Sequence, residues 1–159
     1  MTPAIEYVKS TGTAYKVHEF ESSQSHGYGA EAASALGLPA ERVFKTLVVK
    51  LDAERLVVAM LPINRELNLK LLAAAAHGKR AVMASAREAE RVTGYVLGGI
   101  SPFGQRQTLA TVLDASALEH ATIFVSGGRR GLELELSGSD LQSLCHSKVA
   151  SITRTRSEA

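Results

Sequence analysis

The run Val43-Phe-Lys-Thr-Leu-Val-Val-Lys-Leu51, the link Asp52-Ala-Glu54 and the run Arg55-Leu-Val-Val-Ala-Met-Leu-Pro-Ile63 constrain this chain most. Two β-branched and aliphatic stretches joined by a link that short predict an antiparallel hairpin. A period of two places Val43, Lys45, Leu47, Val49 and Leu51 on one face of its first strand. Phe44, Thr46, Val48 and Lys50 fall on the other. Lys45 therefore stands on a face that is otherwise aliphatic. An unpaired ammonium is costly to bury, so such a lysine has a function or a partner. Alternatively, it sits near the strand start and snorkels to water. The pattern leaves both readings open.

The rest of the chain supplies short elements around the hairpin. Thr2-Pro3 reads as the cap and first residue of a helix stopped by Gly12. A strand over Ala14–Phe20, a polar loop from Glu21 to Tyr28 and a small-residue helix over Glu31–Leu36 follow. Asn68 caps a helix through Ala76, and Arg80–Ala84 is a short strand. Ser85-Ala-Arg-Glu88 is a capping box opening a helix to Val92. After a glycine-rich stretch come a strand over Thr108–Leu113 and a second hairpin, Ala121–Ser126 with Leu132–Leu136. A last helix opens at Ser139-Asp140, and Val149–Thr153 reads as a closing strand. Hairpins outnumber strand–helix–strand units. The expectation is a single α/β domain over residues 1–153, with a mixed, largely antiparallel sheet of about seven strands. The sheet is expected to be curled and barrel-like, with short helices around it, and residues 154–159 to be a frayed tail.

Thr93-Gly-Tyr-Val-Leu-Gly-Gly-Ile-Ser-Pro-Phe-Gly104 holds four glycines and a proline, so no regular element runs through it. Ile100 and Phe103 are apolar enough to pin it to the core, while Gly98-Gly99 leaves backbone bare. Bare, fixed backbone offers N–H groups to a carbonyl oxygen gaining charge; a tight turn between strands is the alternative. Ser126-Gly-Gly-Arg-Arg-Gly131 is a second such turn. It puts the Ser126 hydroxyl at a sheet rim and lets Arg129 and Arg130 reach phosphate, or it is a hairpin with solvated arginines.

Other chemistries find less support. Gly27-Tyr-Gly-Ala-Glu-Ala32 fits a dinucleotide pattern with Asp52 downstream, but six residues separate its first glycine from Phe20. The five histidines show no metal-ligand spacing, so neither metal nor cofactor is expected. Cys145, alongside Leu141 and Leu144 on a helix, reads as core. As the only cysteine it excludes an internal disulfide and suits a reducing cytoplasm. The longest apolar run, Leu71–Ala76, is too short to span a bilayer, and no secretory signal is visible at the N-terminus. A net charge of +2 does not demand nucleic acid, although it permits a local basic patch.

Taken in order, several pieces resemble the YbaK/EbsC-type aminoacyl-tRNA editing domains. These are Thr2-Pro3-Ala4, Phe20, Val43-Phe-Lys-Thr-Leu47, the Gly-Tyr entry to Gly98-Gly-Ile-Ser-Pro-Phe-Gly104, and Ala121–Gly131. The Gly-Gly-Ile-Ser-Pro form is most similar to the Cys-tRNA(Pro) deacylases of that family. The resemblance implies a cytoplasmic domain acting in trans on Cys-tRNA(Pro), with prolyl-tRNA synthetase as a partner. It makes Lys45 the required lysine, Gly98 and Gly99 the donor loop, and Phe20 an aromatic at the pocket wall. Ser126 becomes the serine near the substrate, with Ile100 and Gly127 beside it. Glu133 falls where an aspartate is expected, one methylene longer. The chemistry implied is substrate-assisted: the cysteinyl thiol attacks its own ester and leaves as a thiolactone. The rival classes are a hydrolytic Ala-tRNA(Pro)-editing relative and a non-catalytic tRNA- or synthetase-binding module.

Overall fold

The computed structural model describes residues 1–22 and 28–155. The chain runs α1 (Pro3–Thr11), β1 (Lys16–Glu19), α2 (Tyr28–Leu36), β2 (Phe44–Leu51), β3 (Arg55–Pro62), β4 (Glu66–Leu67), α3 (Leu69–Ala75) and β5 (Ala81–Met83). It continues through α4 (Ala86–Thr93), β6 (Ala110–Asp114), β7 (Ile123–Ser126), β8 (Leu132–Leu136), α5 (Gly138–Cys145), β9 (Lys148–Ala150) and β10 (Thr153–Arg154).

The β2–β3 hairpin pairs over its whole length, from Phe44 opposite Pro62 to Leu51 opposite Arg55. It sits at the middle of a five-stranded sheet of order β5-β2-β3-β6-β9, in which β6 runs parallel to β3 and β9 parallel to β6. Alternation along the hairpin feeds two cores. Phe44, Val48, Val58 and Met60 meet α1, α4, α5 and the β7–β8 hairpin. Val49, Leu51, Val57, Ala59 and Leu61 meet α3 and Ile152. Each fully buried Val or Leu contributes about 1.5–3 kcal/mol, so a hairpin buried on both faces anchors the molecule. The face expected for Lys45 is the one directed toward α3.

β1, β8 and β7 form a second, antiparallel sheet. One parallel bridge, Val43 to Phe124, joins it to the start of β2. Three helix caps fall where the sequence placed them: the Thr2, Asn68 and Ser85 side chains accept from Ile5, Leu71 and Glu88 N–H groups respectively. The last helix, α5, opens slightly earlier than expected, capped by Ser137, which accepts the Asp140 N–H.

Four expectations need correction. The ladders form separate open sheets, not one curled barrel, and the described residues hold ten strands where about seven were expected. The strand expected over Val149–Thr153 divides because the Asp114 carboxylate accepts the Ile152 N–H at 3.0 Å, and the chain turns there. Its second part, β10, pairs with β4, so Arg154 lies in a strand beside Glu66 and not in a tail. Most of the polar loop over 21–28, and the tail beyond Thr155, lie outside the described residues. No helix among the described residues is long and apolar enough to cross a membrane.

The two glycine-bearing turns and the chain start lock together. The Thr2 hydroxyl donates to the Gly127 carbonyl, and the buried Tyr95 hydroxyl donates to the Phe103 carbonyl at 2.6 Å. Burial pushes the Tyr95 phenol up to about 12. Gly104 has φ +64°, and a Cβ there would lie 2.6 Å from the Pro3 carbonyl oxygen. Gly104→Ala is therefore expected to destabilise the protein by about 2–4 kcal/mol, through both backbone strain and the clash. Gly37→Ala, at φ +65° but with open space around it, should cost only about 1 kcal/mol. Melting temperatures of the two variants check the difference, and equal shifts would contradict it.

Candidate active site

A cavity of about 320 Å³ opens where the first half of β2, the first turn of α2, the 94–104 glycine loop and the β7–β8 hairpin converge. β5 pairs with β2 only through Val49–Leu51, which leaves the earlier part of that edge uncovered by β5. The walls are largely apolar: Phe44, Leu47, Ile63, Leu97 and Ile100. Gly29 lets α2 approach, since a Cβ there would collide with the Ile63 side chain. Into this setting the fold brings Lys45, Thr46, Ser126 and Glu133.

Glu133 and Glu135 lie on the same face of β8, with Leu134 and Leu136 turned to the core. Their surroundings separate them. Burial raises Glu135, but hydrogen bonds from Thr122 and His18 outweigh it and hold its carboxyl below the usual range. Arg42 stands 3.5 Å away. Glu133, opposite Ser126 across the hairpin and 8% exposed, has no such partner among the described residues. Burial pushes its carboxyl up to about 8. At neutral pH it is largely a neutral acid that can donate a hydrogen bond.

Thr46 is the residue that sequence reasoning missed. Its hydroxyl is buried, borders the cavity, and has no hydrogen-bond partner among the described residues. Leaving such a group unsatisfied costs about 1–3 kcal/mol, which a ligand that pairs with it recovers. The only sequence signal was a threonine beside Lys45 in an apolar strand.

The glycine loop is organised differently from the expectation. Gly98 lines the cavity at φ +92°. Gly99 does not line it: its N–H donates to the Val96 carbonyl at 2.9 Å. A Cβ on Gly99 would lie 2.6 Å from the Arg129 Cα, so glycine is needed here for backbone-to-backbone packing, not for ligand space. Among the described residues no hydrogen bond engages the N–H of Gly98 or Ile100. Both residues line the cavity.

Of the other expected site residues, Ser126 is at the cavity, its Oγ accepting the Gly128 N–H at 3.1 Å. Gly127 is outside the lining; its N–H donates to the Leu132 carbonyl at 2.8 Å within the turn. Phe20 is also outside it. β1 pairs with the edge of β8 remote from β7, and the Phe20 N–H donates to the Gly131 carbonyl there. Arg130 stands 3.3 Å from the buried carboxylate of Glu31, tying α2 to the turn. Arg129 is exposed and 3.7 Å from Glu19. Both expected phosphate contacts thus face carboxylates. Cys145 borders a different cavity with its thiol 3.7 Å from the Pro102 carbonyl, and burial pushes that thiol up to about 12. A thiol so reluctant to ionise is a packing group. Among the described residues no three His, Cys, Asp or Glu side chains are placed to hold a metal ion.

Residues 24–144 match the aminoacyl-tRNA editing domain family. The chain is 38% identical over 152 residues to EbsC of Enterococcus faecalis, named a candidate Cys-tRNA(Pro)/Cys-tRNA(Cys) deacylase, covering 96% of this chain and 93% of EbsC. Among solved structures, the hypothetical protein APE2540 superposes with a TM-score of 0.86 at 26% identity, over 96% of this chain and 99% of that one. A candidate trans-editing enzyme for prolyl-tRNA synthetase superposes with a TM-score of 0.84 at 22% identity, over 97% and 99% of the two chains, which shows the shared fold.

Glu133 gives a pH test of the site. Its raised pKa means that the folded protein holds a proton the unfolded chain releases, between about pH 4.5 and pH 8. The stability contributed by Glu133 therefore falls across that window. Glu133→Gln removes the effect, so its melting temperature relative to wild type should climb from about pH 5 to about pH 9. Parallel curves would contradict the burial argument.

Proposed function

The chain belongs to the aminoacyl-tRNA editing domain family, and from that premise we propose that it is a trans-acting deacylase that clears mischarged Cys-tRNA(Pro) in the cytoplasm, in concert with prolyl-tRNA synthetase. The observation that carries this reading is the apolar cavity gathering Lys45, Thr46, Ser126, Glu133 and the Gly98–Ile100 backbone. Its size suits an aminoacyl group. Its groups suit the orientation of an ester and the stabilisation of its oxyanion, while the nucleophile comes from the substrate.

In the proposed reaction the cysteinyl sulfur, as thiolate, attacks its own ester carbonyl. A carbon–sulfur bond forms, the bond from that carbon to the terminal ribose oxygen breaks, and the ribose oxygen takes up the proton released by the thiol. The products are a cyclic thiolactone and free tRNA. Lys45 supplies positive charge to the terminal phosphate or ribose, and the N–H groups of Gly98 and Ile100 receive the developing oxyanion. A serine ester, whose hydroxyl is a far weaker nucleophile, cyclises poorly, and selectivity follows.

Lys45→Ala tests this reading. It should fold, since Lys45 lines the cavity and belongs to neither apolar core. It should also lose single-turnover deacylation of Cys-tRNA(Pro) by about 10²-fold or more, the scale of losing one electrostatic contact in a transition state. Cys145→Ala should keep most of its activity, at a stability cost of about 1 kcal/mol. Near-wild-type turnover in Lys45→Ala, or a folded but inactive Cys145→Ala, would contradict the scheme. Faster cleavage of Ala-tRNA(Pro) than of Cys-tRNA(Pro) would replace it with hydrolysis.

A further inference from the structure

We infer that the face carrying Arg87, Arg91 and Arg106 is the docking surface for the phosphate backbone of the tRNA acceptor stem, an inference that rests on the tRNA-deacylase reading above. Residues 77–108 carry five lysines and arginines against two acids, whereas the whole chain is only +2. The excess positive charge of the molecule is thus concentrated here, and the remainder is slightly acidic.

The two acids of this segment are occupied. Glu88 pairs with Lys50 at 2.7 Å, and Glu90 accepts the Leu97 N–H at 2.9 Å. Arg87, Arg91 and Arg106 are exposed, and among the described residues none stands within ion-pair distance of a carboxylate. That sets them apart from Arg129 and Arg130, whose charges are partly spent on Glu19 and Glu31.

The arginines also form one surface. Arg87 and Arg91 are four residues apart on α4, on one side of the helix and about 6 Å apart along its axis. Arg106 folds over Gly94 at the end of α4, its guanidinium donating to the Arg91 carbonyl at 3.4 Å. The surface adjoins the cavity through one hydrogen bond: Glu90, next to Arg91, holds the backbone of Leu97, and Leu97 lines the cavity mouth. An ester seated in the cavity is attached to a polyanion that extends beyond it, and the partly exposed Leu97 is one of the lining residues it can pass. The arginine face lies beyond Leu97, with Arg91 bordering a second cleft beside Glu54 and Arg55. The acceptor stem, far longer than the cavity, would run from the ester onto this face, and the exposed Val96 and Leu97 side chains offer apolar surface for its terminal bases.

The experiment is equilibrium binding of uncharged tRNA(Pro) by fluorescence anisotropy across a salt series, on wild type, R87Q/R91Q and R87Q/R91Q/R106Q. Glutamine keeps an aliphatic stem, and the double variant leaves the Arg106 contact in place. Melting temperatures verify folding. The Kd should rise about tenfold or more at 0.1 M salt in the triple variant, with an intermediate rise in the double. The slope of log K against log salt should shrink by about one for each phosphate-contacting arginine removed. An unchanged Kd and slope in the folded triple variant would overturn the inference. Loss of prolyl-tRNA synthetase binding with tRNA binding intact would make this face a protein interface instead. Because the RNA carries no ester, the outcome is independent of deacylation. Absent deacylation with arginine-dependent binding would strike the proposed activity and leave this surface standing.

Discussion

At Gly99 the glycine loop meets the Ser126–Gly131 turn with no side chain between them, its ideal Cβ position lying 2.6 Å from the Arg129 Cα. The site depends on this contact. Two segments rich in glycine would ordinarily be mobile, but here each fills the space that the other needs. The chain start completes the lock, Thr2 holding the Gly127 carbonyl and Gly104 lying against Pro3. The cavity rim formed by Gly98, Ile100 and Ser126 is therefore set by packing before any ligand arrives. In the proposed reaction, donors fixed in this way need no rearrangement as charge develops.

The interior of the cavity is the second constraint. Its apolar walls raise the Glu133 pKa and leave the Thr46 hydroxyl without a hydrogen-bond partner among the described residues. In water either group would be ordinary. Enclosed by Phe44, Leu47, Ile63 and Ile100, each becomes a costly polar atom whose energy drops when a ligand pairs with it. The second glutamate of β8 makes the point by contrast, because His18, Thr122 and Arg42 satisfy Glu135 outside the cavity.

Local chemistry made much of this legible in the chain. The central hairpin announced itself through two β-branched runs, and the period of two gave the face on which Lys45 lies. Caps at Thr2, Asn68 and Ser85 were readable because each is a side chain bonding its own next turn. What escaped depends on contacts distant in sequence. Nothing near Arg130 reveals that Glu31, 99 residues earlier, faces it. A glycine pair signals bare backbone, but not whether ligand or another backbone will occupy the space; at Gly99 the Arg129 backbone occupies it. Phe20 was placed at the pocket by resemblance alone; it follows β1, and its N–H donates to the Gly131 carbonyl beyond the residues that line the cavity. The two-residue strands β4 and β10 are too short to display a period.

The central claim is that the cavity supplies positioning and charge while the substrate supplies the nucleophile. The most direct measurement is single-turnover cleavage of Cys-tRNA(Pro) beside the same tRNA carrying S-methylcysteine, with the released acyl product identified by mass. The account predicts rapid cleavage of the first with thiolactone as the initial product, and cleavage of the methylated ester near its spontaneous rate. Equal cleavage of both, yielding free amino acid directly, would contradict it and place the nucleophile in water or the protein.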